Sequence, residues 1–283
     1  GNLFEELGLR YIGPIDGHDI KEMINVFNSV KEMKTPVLIH VFTDKTKGLK
    51  QKKSDAIKYY SLSGNKIKPK DGLLTYSEIL GKSLSHLADI SPFTCVTAAM
   101  EIGTGLTEFI SNHKDRYIDV GIAEGHAVTY SAGLSASGII PIIPIYSTFM
   151  QRSYDHIIHD FALQSLSGIF CMDRAGLVGN DGPTHHGVFD ISFMSSIPGM
   201  IVFAPKDGQE LFNILYTSLI LNLFISIRYP KLLTKVDFEI KPIKLNIGSW
   251  ETLNQGKKVC ILAVGSMVET SLKSLDILKT VYS

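Results

Sequence analysis

Cysteine is scarce and neither sign of charge is in excess. Cys95, Cys171 and Cys260 lie far apart with no CxxC spacing, which argues against a disulfide framework or a zinc knuckle as the basis of the fold. Each sits in an apolar run and reads as a buried, reduced thiol, in keeping with a cytosol-like compartment. Twenty-eight basic residues balance 28 acidic ones, so the long-range field that draws a protein onto nucleic acid or an anionic membrane is missing. Neither is expected as a partner, whereas a small charged metabolite needs only a local patch. No basic segment followed by an apolar stretch opens the chain, so no secretory signal is expected within it. The longest apolar run, Leu211 to Ile227, approaches the roughly 18 to 20 residues of a membrane span. Asn213 and Asn222 interrupt it, and it reads as a buried helix followed by a strand, Phe224 to Arg228.

What is present is the composition of a globular protein: 45% hydrophobic and 20% charged residues over 283 positions, with a mean hydropathy of +0.14. That length suits one large domain or two ordinary ones. Residues 1–44 hold a helical pattern, Ile20 to Met33, and an apolar strand, Val37 to Thr43, which make one αβ unit too small for its own core. Nine lysines fall within residues 45–72, the composition of a solvated linker. From Leu73 the pattern becomes regular. A helix near Thr75 to Ala88 precedes apolar strands near Thr94 to Ala98, Tyr117 to Val120, Ile139 to Ile145, Gly168 to Met172 and Met200 to Ala204, with helical segments between most of them. Such alternation predicts an α/β fold with a doubly wound, mainly parallel sheet flanked by helices. A strand over Lys258 to Gly265 and a helix over Glu269 to Lys279 are expected to begin a further unit. No internal repeat is visible.

The segment Val120 to Thr129 places one carboxylate, Glu124, among small and apolar neighbours, after a strand and at the start of a Gly/Ala/Ser-rich helix. Poor solvation there favours a carboxyl group that holds or shares a proton near neutrality. Phe149 follows the next strand and can stack on a flat ring. Arg152 begins a helical stretch through Tyr154, His156 and His159, a geometry suited to phosphate. Asp173-Arg174 ends another strand, and Gly176 to Gly187 forms a loop with four glycines and the pair His185-His186. In such a loop backbone approaches a ligand closely while Asp and His carry proton and hydrogen-bond traffic. Ala98-Ala-Met100 and Gly103-Thr-Gly105 end a strand on the same edge, with Met100 offering an apolar contact. No third ligand joins the histidines, so no metal site is expected within the chain.

These segments together resemble the 1-deoxy-D-xylulose-5-phosphate synthases, a thiamine diphosphate family of the transketolase superfamily. The resemblance rests on Tyr11-Ile-Gly-Pro-Ile-Asp-Gly-His-Asp19, Ala98-Ala-Met100 with Gly103-Thr-Gly-Leu106, Asp119-Val-Gly-Ile-Ala-Glu124, Ile145 to Asp155, His159-Asp160, Asp173 to Gly187 and Ile227-Arg-Tyr-Pro230. It implies a pyrimidine-type thiamine diphosphate-binding domain over 73–235, preceded by a remnant of the diphosphate-binding domain (1–44) and the linker (45–72). Residues 236–283 would then start a C-terminal α/β domain. The implied reaction is decarboxylative condensation of pyruvate with D-glyceraldehyde 3-phosphate, the entry to non-mevalonate isoprenoid synthesis, in a homodimer of bacterial cytoplasm or a plastid.

By the same resemblance, Glu124 bonds the far nitrogen of the cofactor's aminopyrimidine and so makes the 4'-amino group basic. Phe149 stacks on that ring, and Ala99, Met100 and Ile122 line it. Tyr146, Arg152 and Arg228 meet the acceptor phosphate, and Arg174, Asp181 and His185 contact substrate, with Asp181 and His185 catalytic beside Glu124. The family's Gly-Asp-Gly motif and its later Asn, which hold Mg²⁺ and the diphosphate, do not occur. They are expected upstream of Gly1, so the chain alone is expected to be inactive. The family's Lys-Lys-Gly-Arg-Gly-like turn reads Asp44-Lys-Thr-Lys-Gly48 here, Tyr60 replaces a His, and Gly125 stands where Gln is common. A transketolase, the β-type subunit of a 2-oxo acid dehydrogenase, and a noncatalytic dimerisation fragment are the alternatives.

Overall fold

A computed structural model describes residues 2–48 and 72–281. Most of the Lys-rich segment, and Tyr60 with it, lies outside them. Contacts divide the chain into two units, Gly1–Lys68 and Pro69–Ser283.

In the first unit a short helix α1 (Asn2–Glu6) precedes β1 (Arg10–Asp16), α2 (Ile20–Val30) and β2 (Val37–Phe42). Strands β1 and β2 pair in parallel, with a register shift between Ile12 and Ile15. The unit is therefore βαβ, one strand more than the αβ unit expected. Gly13-Pro14 disguised β1: proline lacks a ladder donor and glycine weakens a strand, so the pair reads as a breaker. The irregular register at that point accommodates both. The Asp19 side chain caps α2 by accepting the Glu22 N–H at 2.9 Å.

The second unit opens with β3 (Leu74–Thr75) and α3 (Tyr76–Leu87). Thr75 and Glu78 form a reciprocal capping box there, which satisfies two N–H groups at the helix start. Then follow β4 (Phe93–Thr97), α4 (Thr107–Asn112), β5 (Tyr117–Asp119), α5 (Glu124–Ala136) and β6 (Ile140–Tyr146). After α6 (Ser147–Met150) and α7 (Tyr154–His156) come β7 (Gly168–Asp173), α8 (Asp190–Ser195), β8 (Ile201–Phe203), α9 (Gly208–Leu221), β9 (Phe224–Arg228), β10 (Leu233–Thr234) and α10 (Met267–Val281). Six strands form one parallel sheet in the order β5-β4-β6-β7-β9-β8. Strand β10 returns antiparallel to β3 and ties the end of this region to its beginning.

Side-chain alternation along the strands builds two cores. Cys95, Ile142, Ile169, Cys171, Ile225 and Ile227 pack on one face with Leu80 and Leu84 of α3 and Leu211 and Leu215 of α9. Val96, Ile143, Ile145, Phe170 and Met172 face the other way, against Ala127 and Val128 of α5 and Met194 of α8. A sheet buried on both faces explains why its strands are continuously apolar rather than alternating with polar residues. The expected doubly wound fold is what forms. Burial pushes the Cys95 and Cys171 thiols up, so both stay protonated.

The apolar run read as helix then strand is α9 followed by β9, and its two asparagines have structural work. Asn222 takes the left-handed conformation that ends α9. Asn213 accepts the Ile243 N–H at 3.1 Å, and Thr217 on the next turn accepts that of Leu245 at 2.9 Å. No helix among the described residues is long and apolar enough to cross a membrane.

Two expectations fail toward the C-terminus. Lys258 to Gly265 forms no strand, and Val259 and Leu262 are largely exposed. Apolar β-prone residues need ladder partners to become a strand, and no described strand lies beside them. Cys260, expected to be buried with that strand, is exposed for the same reason.

Candidate active site

Because all six strands run parallel, their carboxyl ends share one edge. Strands β5 and β6 lie on opposite sides of β4, so the winding reverses there, the switch point beside which sheets of this kind place ligands. Met100 and Tyr146 meet there: the Tyr146 N–H donates to Met100 Sδ at 3.3 Å. Asp119, at the end of β5, accepts the N–H groups of Ala99 and Gly121, both at 2.8 Å, and so joins the loops after β4 and β5. Ala99 itself has φ +58°. Ile122, two residues before Glu124, is 84% exposed.

Glu124 is the first residue of α5 and is only 4% exposed. Its Oε1 accepts a hydrogen bond from Arg152 Nη1. Arg152 is 55% exposed and, contrary to expectation, does not begin a helix: its 3-10 turn, Gln151–Ser153, lies inside a helical run that already starts at Ser147, because the chain turns helical directly after β6. Its guanidinium carbon lies 4.6 Å from the centroid of the Phe149 ring. At Gly125 a Cβ would come within 2.8 Å of His156 Cε1, so the glycine lets the imidazole lie against α5. His156 Nδ1 is buried with no hydrogen-bond partner among the described residues. His159 pairs with Asp160 at 2.8 Å, and Asp160 also accepts from Thr129 Oγ1 of α5 at 2.5 Å. The two histidines thus face different surroundings.

A second group of charges follows β7. Arg174 adopts φ +62°, is 11% exposed and lies 3.8 Å over the Tyr146 ring. It donates to Asp173 Oδ1 (3.0 Å), Asp181 Oδ2 (3.1 Å) and the Gly103 carbonyl (2.8 Å). The Tyr146 hydroxyl occupies the space of the absent Gly103 side chain, where a Cβ would sit 1.6 Å from it. Burial pushes the Tyr146 phenol up. Asp173 is fully buried, and burial raises its carboxyl to about 6 despite Arg174 and a 2.6 Å hydrogen bond from Ser77. At Asp181 burial also pushes upward, but Lys231 at 2.5 Å and Arg174 outweigh it and hold the carboxyl below its usual range. The His185 ring is 5.1 Å from Phe149 and 6.1 Å from Tyr146.

The structure therefore brings Glu124, Arg152, Phe149, His185, Tyr146, Met100, Arg174 and Asp181 into one continuous chain of contacts. Ala99 and Ile122 adjoin it in sequence, beside Met100 and Glu124. Arg228 stands on a neighbouring arm, bonded to Asp190 at 3.0 Å, and Asp190 also holds Ser147, the residue after Tyr146. Arg228 lines a cavity of about 280 Å³ with Leu177, Pro205 and Ser266.

Residues 74–236 match the family described as the transketolase pyrimidine-binding domain. The chain belongs to that family. Residues 1–43 match a second family, 1-deoxy-D-xylulose-5-phosphate synthase. Curated relatives carry that same name: one from Aquifex aeolicus is 46% identical over 98% of this chain, and one from Clostridium acetobutylicum is 44% identical over the same share. The chain spans 45% and 46% of their respective lengths. Among solved structures, a split-gene transketolase described as an inactive β4 tetramer is 25% identical with a TM-score of 0.64, over 73% of this chain and 68% of that one. Transketolase from Campylobacter jejuni superposes over 99% of this chain and 55% of its own with a TM-score of 0.62 at 18% identity, a likeness of fold.

On the Glu124 arm the planar guanidinium of Arg152 meets both a buried carboxylate and an aromatic face. No group of three or more His, Cys, Asp or Glu among the described residues is placed to hold a metal ion. Sequence reasoning passed over Ser77, Asp190 and Lys231, and it placed Gly103 at the strand edge and Asp119 in a motif without the contacts they make. For Asp119 the signal was its place in the Asp119 to Glu124 motif, whereas Lys231 is an isolated lysine whose role exists only in three dimensions.

Proposed function

We propose that this chain forms the pyrimidine-side part of a 1-deoxy-D-xylulose-5-phosphate synthase, which condenses pyruvate with D-glyceraldehyde 3-phosphate and releases CO₂. The observation that carries the reading is Glu124: a buried carboxylate at the carboxyl edge of a parallel sheet, bonded to Arg152, whose guanidinium lies over Phe149, in a chain 46% identical to a synthase of that name. Thiamine diphosphate, when bound, supplies the nucleophilic carbon and the electron sink for decarboxylation. The residues of this chain bind, orient and move protons around it. Glu124 holds the far nitrogen of the aminopyrimidine. Phe149 stacks on its face, and Met100, Ala99 and Ile122 line its edge.

Tyr146, Arg152 and Arg228 receive the acceptor phosphate, for which forked, charged donors are suited. Arg174, held in place by Asp173 and Asp181, contacts the substrate oxygens, and His185 with Asp181 handles proton transfer there. Magnesium and the diphosphate fall to a separate half of the enzyme, and the working assembly is a homodimer in the cytoplasm or a plastid.

The test joins this chain to the diphosphate-binding half of the Aquifex aeolicus relative. CO₂ release from pyruvate that requires D-glyceraldehyde 3-phosphate is expected. Glu124→Gln should lower turnover at least about 100-fold. Near-normal turnover in that variant, or use of a ketose phosphate donor or a lipoyl acceptor instead, overturns the assignment. The isolated chain should bind the cofactor weakly and turn over nothing measurable; tight, Mg²⁺-dependent binding overturns that part. Similarity to the split-gene transketolase described as inactive favours a second reading, in which the chain is a noncatalytic assembly subunit. Light scattering combined with cofactor titration separates the two.

A further inference from the structure

Glu124 and Phe149 are not vacant surfaces in this fold. One side chain, Arg152, meets both: an Nη1 hydrogen bond to Glu124 Oε1 and a guanidinium carbon 4.6 Å from the centre of the Phe149 ring. The guanidinium is planar, cationic and rich in in-plane N–H donors. It stacks through its face and donates through its edge, which are the two contacts an aminopyrimidine ring makes with an aromatic residue and a carboxylate. Two flat groups cannot occupy that position together.

The contrast in exposure shows which partner can leave. Glu124 is 4% exposed and Arg152 is 55% exposed. Arg152 lies within a continuous helical run from Ser147 to Ala162 and Glu124 starts a 13-residue helix, so both backbones are held and only the exposed side chain is free to swing away. The buried carboxylate is fixed and the arginine can move outward to water at small cost.

We infer that Arg152 is a displaceable positioning residue: it holds the Glu124 carboxylate while the site is empty, and a planar nitrogen heterocycle takes its place on Glu124 and Phe149. This rests on the reading of Glu124 given above and deepens it. Displacement also frees the guanidinium for the acceptor phosphate, so loading of the ring site and formation of the phosphate site become one event. A binding-competent state populated only in part weakens apparent affinity by that fraction, so removing the competitor tightens binding.

The experiment uses the full chain and thiamine, which carries the ring without the diphosphate. Affinity is read by calorimetry, and the Arg152 guanidinium by ¹⁵N nuclear magnetic resonance. In the free chain its signal should be displaced by the Phe149 ring current. Saturating thiamine should return it to a solvent-like position, and Arg152→Met should bind thiamine about 10-fold tighter than the unaltered chain. Arg152→Lys keeps the charge without the stacking plane, guards against misfolding of the Met variant, and should fall between the two. Equal or weaker binding by both variants, or a ring-shifted Arg152 signal that persists at saturation, overturns the inference while leaving the ring site standing. Absence of thiamine binding in every form, including Arg152→Met, overturns the ring site and this inference with it.

Discussion

Charge is held differently on the two arms of the sheet's carboxyl edge. After β7, Arg174 donates to Asp173, Asp181 and a carbonyl, Asp173 also takes Ser77, and Asp181 also takes Lys231. On the other arm Glu124 and Arg152 share one ion pair, and Arg152 alone lies over a ring face. A network in which several partners must be lost together stays in one geometry. A pair with one half-exposed member can exchange that member for a ligand. The first arm is suited to holding an arginine still, and the second to being occupied.

The largest expected effect comes from breaking the locked arm. Arg174→Met removes the cation from a fully buried Asp173 and one of two cations from Asp181. Uncompensated buried charge costs about 3–5 kcal/mol, to be read from urea unfolding. A loss under about 1 kcal/mol would mean that the network is not what holds this arm.

A second effect follows from Asp173 itself. Its carboxyl is raised by burial to about 6 in the folded chain, against 3.8 as the ordinary value. Between those values the folded chain keeps a proton that the unfolded chain has released. Stability should therefore rise as pH falls from about 7 to about 4, by up to about 3 kcal/mol. Asp173→Asn should flatten that rise. Asp181, whose carboxyl is held low, contributes in the opposite sense: its stabilisation is present above its unfolded value and lost as pH falls through the folded one. The rise should thus turn over at the acid end, and an unchanging profile between the two limits would show that Asp173 is not carrying a buried charge at neutral pH.

The sheet was legible in the sequence because burial on both faces makes each strand a continuous apolar run, and runs such as Ile140 to Tyr146 need no partner to be recognised. Glu124 was legible for a related reason, a lone acid in a small-residue neighbourhood. Strand β1 was hidden by Gly13-Pro14, and Lys258 to Gly265 had the pattern of a strand but has no partner strand among the described residues. Long-range pairings were beyond reach. That Arg152 bonds to Glu124, 28 positions away, and that Lys231 serves Asp181, 50 positions away, depends on which strands lie side by side. Periodicity carries no information about that. Gly103 was legible only as a small residue at a strand end and Gly125 only as standing where Gln is common, yet their actual use is to make room for Tyr146 and His156.

The smallest effect tests the other arm. Arg152→Met also leaves a buried carboxylate behind, but the departing side chain was half exposed, so its removal opens a path for water to Glu124. Solvation offsets most of the lost pairing, and a destabilisation on the order of 1–2 kcal/mol is expected, clearly below that of Arg174→Met in the same urea experiment. Equal losses in the two variants would mean that Glu124 remains sealed when its partner goes. The pair would then be as locked as the network after β7, and the distinction between a held arm and an exchangeable one would disappear.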